Sequence, residues 1–334
     1  MKYKRVTAIF PGQGSQYTGM GKDLYDNFEI VRKIYQEAND VLGYDLADMC
    51  FRKSSFASLG SKIMHKPDLN KTIYTQPAVL TTSYACFKAL EETCRIRKIN
   101  LNFCLLAGHS LGEYTALLAA GAIDFKTCLK LVNKRAGFMT ELGRSYPGAG
   151  LMAVMSRNED LDFNDISNLC NEFQVYVTLN NTKRQIVVGG GKRRLELLSK
   201  ELKNREKIGK MLKVEGPFHT PIMKPAAEQF KKELDKSKFV IAIRPIIANV
   251  STNAIVDPNH IKKELYNQIF NIVDWRRSVE KIVDNGGDLF IEIGPKRVLS
   301  NMVKDIDPSI PELNVEDMES LENTVVKIRK ADAM

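Results

Sequence analysis

The sequence predicts an α/β protein: a large unit built on a mostly parallel sheet, with a small α+β unit inserted into it. Three observations carry that expectation. Short apolar runs alternate with helical segments over most of the 334 residues, which is the pattern of a parallel sheet covered on both faces. Over residues 145–214 the texture changes to strand, helix, strand, strand, helix, strand, the order of a small ferredoxin-like unit. One apolar run also ends in a serine between two glycines, directly before an alanine-rich helix.

Taken in order, "RVTAIF" reads as the first strand, stopped by Pro11-Gly12. Residues 20–42 read as helical. The stretch that follows to about Asn70 is rich in Ser, Lys and Gly and reads as irregular. A long apolar helix is expected over residues 76–93, then a short buried strand "FCLLAG", then the alanine-rich helix beginning just after Ser110. Asp124 is placed to cap a helix that ends near Gly143. In the insert, strands "LMAVM", "VYVTL", "RQIVVGG" and "GKMLKV" surround helices in "NEDLDFNDISNLCNEF" and "RRLELLSKELKNRE". Beyond it, a helix over 220–236, a strand "PIIANVS", helices around Lys262 and over 273–285, and a strand "DLFIEIG" restore the α/β alternation. The division is therefore 1–144 with 215–334 for the large unit and 145–214 for the insert.

Composition excludes several function classes. No run approaches the ~18 apolar residues of a membrane span. The N-terminal "MKYKRVTAIFPGQGSQ" has too short an apolar region for a signal peptide, so a cytoplasmic protein is expected. The six cysteines form no CxxC pair and have no histidine at ligand spacing. They read as reduced, buried side chains, with no metal site. The net charge of +9 is spread along the chain with no nucleic-acid motif beside it, so no nucleic-acid partner is expected. The basic amphipathic stretch over 192–207 could meet an acidic partner, but a solvated helix face is the better reading.

The chemistry points to Gly108-His109-Ser110-Leu111-Gly112, a G-x-S-x-G with a strand before it and a helix after it. A serine on that sharp turn projects its hydroxyl outward, beside free N–H groups of the helix N-terminus. It needs a base, and the chain has four histidines. His109 should point away from Ser110, and His65 and His260 read as surface residues. His219 follows a Pro-containing bend and precedes a helix, which makes it the best candidate base. An oxyanion hole needs two N–H groups: one from Leu111, and one from the open "PGQGS" loop, for which we choose Gln13. In the helix "DFKTCLKLVNKRAGFMTEL", Lys126, Lys130 and Lys134 share a solvated face, whereas Arg135 falls in the apolar sector. A guanidinium there needs an anionic partner, either a distant carboxylate of the chain or the substrate.

"FPGQGSQYTGMG", "YTQPAVLTTSYA", "AGHSLGEYTALLAAGA", "LVNKRAGFM", "GPFHTPIMKPA" and "IEIGPKRVLSNMVKDI" together resemble the malonyl-CoA:acyl carrier protein transacylases and the similar acyltransferases of polyketide synthases. The resemblance covers nearly the whole chain. It implies an α/β-hydrolase-like large domain with a ferredoxin-like insert, and a Ser–His dyad matching Ser110 and His219. It implies an oxyanion hole at Gln13 and Leu111, and Arg135 as a bidentate ligand of the malonyl carboxylate. Gln76, His109 and Phe218 match positions around the acyl group, and the main-chain carbonyl matching Gln268 orients the histidine. Ile272 stands where many relatives have proline, and residues 51–71 form a longer stretch than usual. The implied activity moves malonyl from coenzyme A to the phosphopantetheine thiol of an acyl carrier protein through a malonyl-serine, with no metal or redox cofactor, in a monomer. An acyl hydrolase that clears carrier proteins and a non-catalytic carrier-binding subunit are the alternatives, and Arg135 argues against the first.

Overall fold

The structure is a computed structural model that describes residues 5–52 and 68–332. His65 and most of the 51–71 stretch lie outside the described residues. Among those described, two sheets organise the chain. The larger has six strands in the order Glu312–Val315, Leu289–Ile293, Val6–Phe10, Phe103–Gly108, Ile246–Ile247, Ala254–Ile255. All neighbours are parallel except the last pair, which forms a small antiparallel edge.

Side-chain alternation explains why both faces are covered. Ala8, Phe10, Leu106, Ile291 and Ile293 join the core on one face of this sheet. Their neighbours Ile9, Leu105, Ala107 and Phe290 join a second core with Trp275, Val279, Leu299 and Val303 on the other. Strands buried on both sides read as continuous apolar runs, which is why "FCLLAG" and "LFIEI" were legible.

The smaller sheet runs Ile208–Met211, Ala149–Met155, Gln185–Gly191, Tyr176–Thr182, Val273–Asp274. Its first four strands are antiparallel, with helices Phe163–Phe173 and Lys192–Asn204 between them in sequence. Met152, Val154, Ile186 and Val188 face the small unit's own core. Leu151, Ala153 and Val187 face the main core instead. The small sheet is thus pressed onto the large unit by a full apolar face.

Several elements differ from expectation. Residues 20–42 are two helices, Lys22–Asn27 and Glu29–Leu42, because Phe28 is extended and the Arg32 guanidinium takes the Tyr25 and Asp26 carbonyls. A short helix, Leu46–Phe51, capped by Asp45, stands in the stretch read as irregular. The long apolar helix is Thr72–Ile96, starting a turn before Pro77. The helix expected over 220–236 is a 3-10 turn, Pro221–Met223, followed by Lys224–Lys236. That over 273–285 begins at Trp275, since Val273–Asp274 pair with Tyr176–Thr182. Helices Val298–Ile306 and Met318–Asp332 and the strand Glu312–Val315 complete the large unit. No helix among the described residues is long and apolar enough to cross a membrane.

Candidate active site

The site lies at the carboxyl ends of the large parallel strands, where the small sheet meets them. Loops gather there in open α/β sheets. The turn after Phe103–Gly108 holds Ser110 at φ 52, a left-handed conformation disfavoured for a residue with a Cβ. Asn249, just after Ile246–Ile247, staples that turn: its Oδ1 accepts the Ser110 N–H at 2.7 Å and its Nδ2 donates to Gly108 O at 2.7 Å. The helix Gly112–Ala119 can enter so closely because Gly112 has no side chain. A Cβ there would lie 1.9 Å from Phe10 O.

Ser110 Oγ and His219 Nε2 are 2.8 Å apart. His219 Nδ1 is 2.7 Å from the main-chain oxygen of Gln268, which can only accept. The proton therefore sits on Nδ1, and Nε2 is free to accept from the serine hydroxyl. Burial, together with the Arg135 charge, holds the imidazole pKa down to about 3. The ring is a neutral acceptor at physiological pH. Of the other histidines, His109 turns its Nε2 to Asn181 Oδ1 at 2.8 Å and packs edge-on against Trp275. His260 is exposed, as expected of a surface residue, in the first turn of the helix Pro258–Gln268.

Arg135 is buried in the helix Phe125–Arg144, only 1% exposed, while Lys126, Lys130 and Lys134 are exposed. Its guanidinium donates to Gln76 Oε1 at 2.7 Å, Gln268 Oε1 at 2.9 Å and Ser110 Oγ at 3.1 Å. All three acceptors are neutral, and its Nε has no partner among the described residues. Burial pulls its pKa below the usual value, but arginine keeps its charge across the physiological range. The structure thus brings a serine, a neutral histidine and a buried cation together within hydrogen-bond reach.

The remaining expected residues surround this group. The "PGQGS" loop reaches the serine turn directly: a Cβ on Gly12 would meet His109 O at 2.4 Å. The side chain of Gln13 is held to Thr72 Oγ1 at 3.1 Å. Among the described residues neither the Gln13 nor the Leu111 N–H has a hydrogen-bond acceptor. Phe218 is buried next to His219 and packs over Gly216. Ile272 lines a cavity of about 240 Å³ that His219, Cys170 and Phe270 also border.

Two residues were missed by sequence reasoning. Asn249 gave no signal, because an asparagine at a strand end is ordinary. Glu113 did give one: it is the single charged residue in a helix whose every side chain is buried, and its carboxyl accepts from Gln268 Nε2. Among the described residues no group of three or more His, Cys, Asp or Glu side chains gathers to hold a metal ion.

Comparison with known proteins agrees with this geometry. The acyl transferase domain family matches residues 7–326. A malonyl CoA-acyl carrier protein transacylase of Bacillus subtilis is 35% identical over 329 residues, covering 98% of both chains. The solved transacylase of the same name from Clostridium perfringens superposes with a TM-score of 0.88 at 33% identity, covering 99% of each chain. A malonyl-transacylase solved in complex with its type II polyketide synthase acyl-carrier protein gives 0.86 at 34% identity, over 97% of this chain and all of that one. With the family matched over nearly its whole length and a serine turn, a histidine and a buried arginine meeting at one point, the chain belongs to the acyl transferase domain family and is an enzyme of that kind.

Proposed function

We propose that the protein transfers malonyl from malonyl-CoA to the phosphopantetheine thiol of an acyl carrier protein, through a malonyl-serine. The observation that carries this is Arg135: a buried cation 3.1 Å from the reacting hydroxyl, bonded only to neutral oxygens. A carboxylate on the acyl group would meet its fork with two charge-assisted hydrogen bonds. The relatives named as malonyl transacylases, and the one solved with a carrier protein, support the same substrates and partner.

In the first half-reaction Ser110 Oγ attacks the thioester carbon while its proton passes to His219 Nε2. The developing oxyanion is held by the Gln13 and Leu111 N–H groups. The C–S bond breaks, and the coenzyme A sulfur takes the proton from His219. In the second, the carrier thiol gives its proton to His219 and attacks the malonyl-serine carbonyl. Ser110 Oγ leaves and recovers the proton. The Gln268 carbonyl keeps the imidazole in the required tautomer throughout. Gln76 orients the guanidinium, while His109 and Phe218 wall the acyl site.

We also read the large unit, 1–144 with 215–334, as α/β-hydrolase-like, and 145–214 as a ferredoxin-like insert. The β-α-β-β-α-β order and the antiparallel sheet support this, as does the close packing of Gly143 on Glu215 at the insert's two ends. The reading is completed by a cytoplasmic monomer that uses no cofactor.

Incubation with malonyl-CoA should leave a malonyl adduct on Ser110, seen by intact mass and lost in Ser110→Ala. Arg135→Ala should lower kcat/KM for malonyl transfer at least ~100-fold, since a carboxylate then enters the buried site unpaired. Acetyl transfer should hold or improve. Equal loss of both in a folded variant would make Arg135 structural, and release of free malonate without a thiol acceptor would identify a hydrolase.

A further inference from the structure

Glu113 lies in the first turn of Gly112–Ala119 with no solvent to receive its carboxyl. A buried carboxyl is costly unless its oxygens are used. Here Oε2 accepts Gln268 Nε2 at 2.5 Å. The same Nε2 donates to Ser110 O at 2.9 Å, while Gln268 Oε1 accepts from Arg135. Every contact of the amide is thus matched in one orientation only. Turned over, its oxygen would face the Glu113 carboxyl and the Ser110 carbonyl, and its NH2 would face the guanidinium.

We propose that Glu113 is a positioning residue for acyl transfer: by holding Gln268 Nε2 it fixes the amide whose oxygen aims the Arg135 guanidinium at the substrate's carboxylate. The inference rests on the malonyl-transfer reading and extends it by one residue. Glu113 touches no reacting atom and acts through the Gln268 side chain, so its larger effect falls on acyl groups that use the guanidinium. Burial pushes its pKa up to about 8, so at neutral pH it is largely the uncharged acid. That acid still accepts through its carbonyl oxygen, and it leaves the Arg135 charge for the substrate to pair.

The test compares Glu113→Leu, Glu113→Gln and Glu113→Asp in the full chain, with malonyl-CoA and acetyl-CoA as paired donors. Removing the acceptor with leucine should raise KM for malonyl-CoA about 10-fold, with acetyl transfer within about 2-fold of wild type. Glutamine restores an acceptor oxygen, so Glu113→Gln should return malonyl KM to within about 3-fold. If Glu113→Leu does not fold, Glu113→Asp serves in its place, because it withdraws the acceptor by one methylene and should give an intermediate rise. A crystal structure of the variant should show Gln268 Oε1 off Arg135. Equal loss for both donors, an unchanged malonyl KM, or a glutamine variant as impaired as leucine overturns the role of Glu113 alone. A wild-type enzyme that forms no malonyl adduct on Ser110 overturns the malonyl reading itself, and this inference with it.

Discussion

At the scale of the residue, Ser110 and His219 share an unusual feature: both hold positive φ, 52 and 60. Left-handed backbone costs a non-glycine residue roughly 1–2 kcal/mol, so both must be held there by their surroundings. For His219 the holder is the Gln268 carbonyl, and the same burial and neighbouring charge that keep the ring neutral set a testable pH dependence. In the free enzyme the depressed pKa leaves the base form dominant well below pH 6.5, so the acid limb of kcat/KM for acylation should fall far below that value. A bound malonyl carboxylate offsets the Arg135 charge, which makes protonation of His219 easier. The acid limb of kcat should therefore lie at higher pH than that of kcat/KM for malonyl-CoA, and the two should not separate this way for acetyl-CoA. Rapid-quench acylation over a pH series measures both limbs. A kcat/KM limb near 6.5 would show that burial and Arg135 do not hold the base down, and a reversed order that the substrate carboxylate does not offset the Arg135 charge. The pairing of Ser110 with His219 was legible, since one motif and four histidines left few choices. Glu113 stood out as a lone charge in an apolar helix, but its role and that of the Gln268 side chain were not legible, because they are hydrogen bonds between residues 155 positions apart.

At the scale of the element, the strand, turn and helix around Ser110 were read from sequence because glycines mark where backbones touch. What could not be read is how the strained turn is kept. Asn249 holds both ends of it, accepting the Ser110 N–H and donating to Gly108 O. Asn249→Ala should lose those two buried hydrogen bonds, at about 1–3 kcal/mol. The expected outcome is a Tm several degrees lower and acylation at least ~10-fold slower, as Ser110 drifts from His219 and the free Leu111 N–H. Thermal unfolding and single-turnover labelling measure the two separately. A lowered Tm with an unchanged labelling rate would mean the helix N-terminus alone keeps the turn. Boundary errors have the same origin. Residues 20–42 carry no Gly or Pro at Phe28, and the break there comes from the Arg32 side chain taking two carbonyls, a contact no local pattern encodes.

At the scale of the molecule, the site depends on how the two sheets are joined, and Asp274 is the joint. Its N–H donates at 2.9 Å to the main-chain O of Asn249, the residue that staples the serine turn. Its carboxylate accepts Asn180 Nδ2 of the small sheet at 2.8 Å and caps the helix Trp275–Asp284 through the Arg277 N–H. Gln268 lies a few residues upstream on the same connection, so movement of Asp274 reaches both His219 and Arg135. The apolar periodicity revealed each sheet by itself, but the Val273–Asp274 pairing that joins them was read as helix, because two residues are too few to show an alternation. Asp162 provides the control. It caps the helix Phe163–Phe173 within the small unit, accepting from Asp165 N–H, and is far along the chain from the joint. Each change to alanine removes a cap contributing about 1 kcal/mol, which lowers Tm by roughly 1–2 °C in a chain of this size. Asp162→Ala should stop there, with transfer to the carrier protein intact. Asp274→Ala should in addition slow malonyl transfer about 10-fold, because the loop carrying Gln268 loses its side-chain tie to Asn180 of the small sheet and keeps only the main-chain pairing. Calorimetry and steady-state transfer on the pair decide the matter: equal rates in the two variants would mean the sheets pack rigidly without Asp274, and the main apolar seam at Leu151, Ala153 and Val187 alone positions the site.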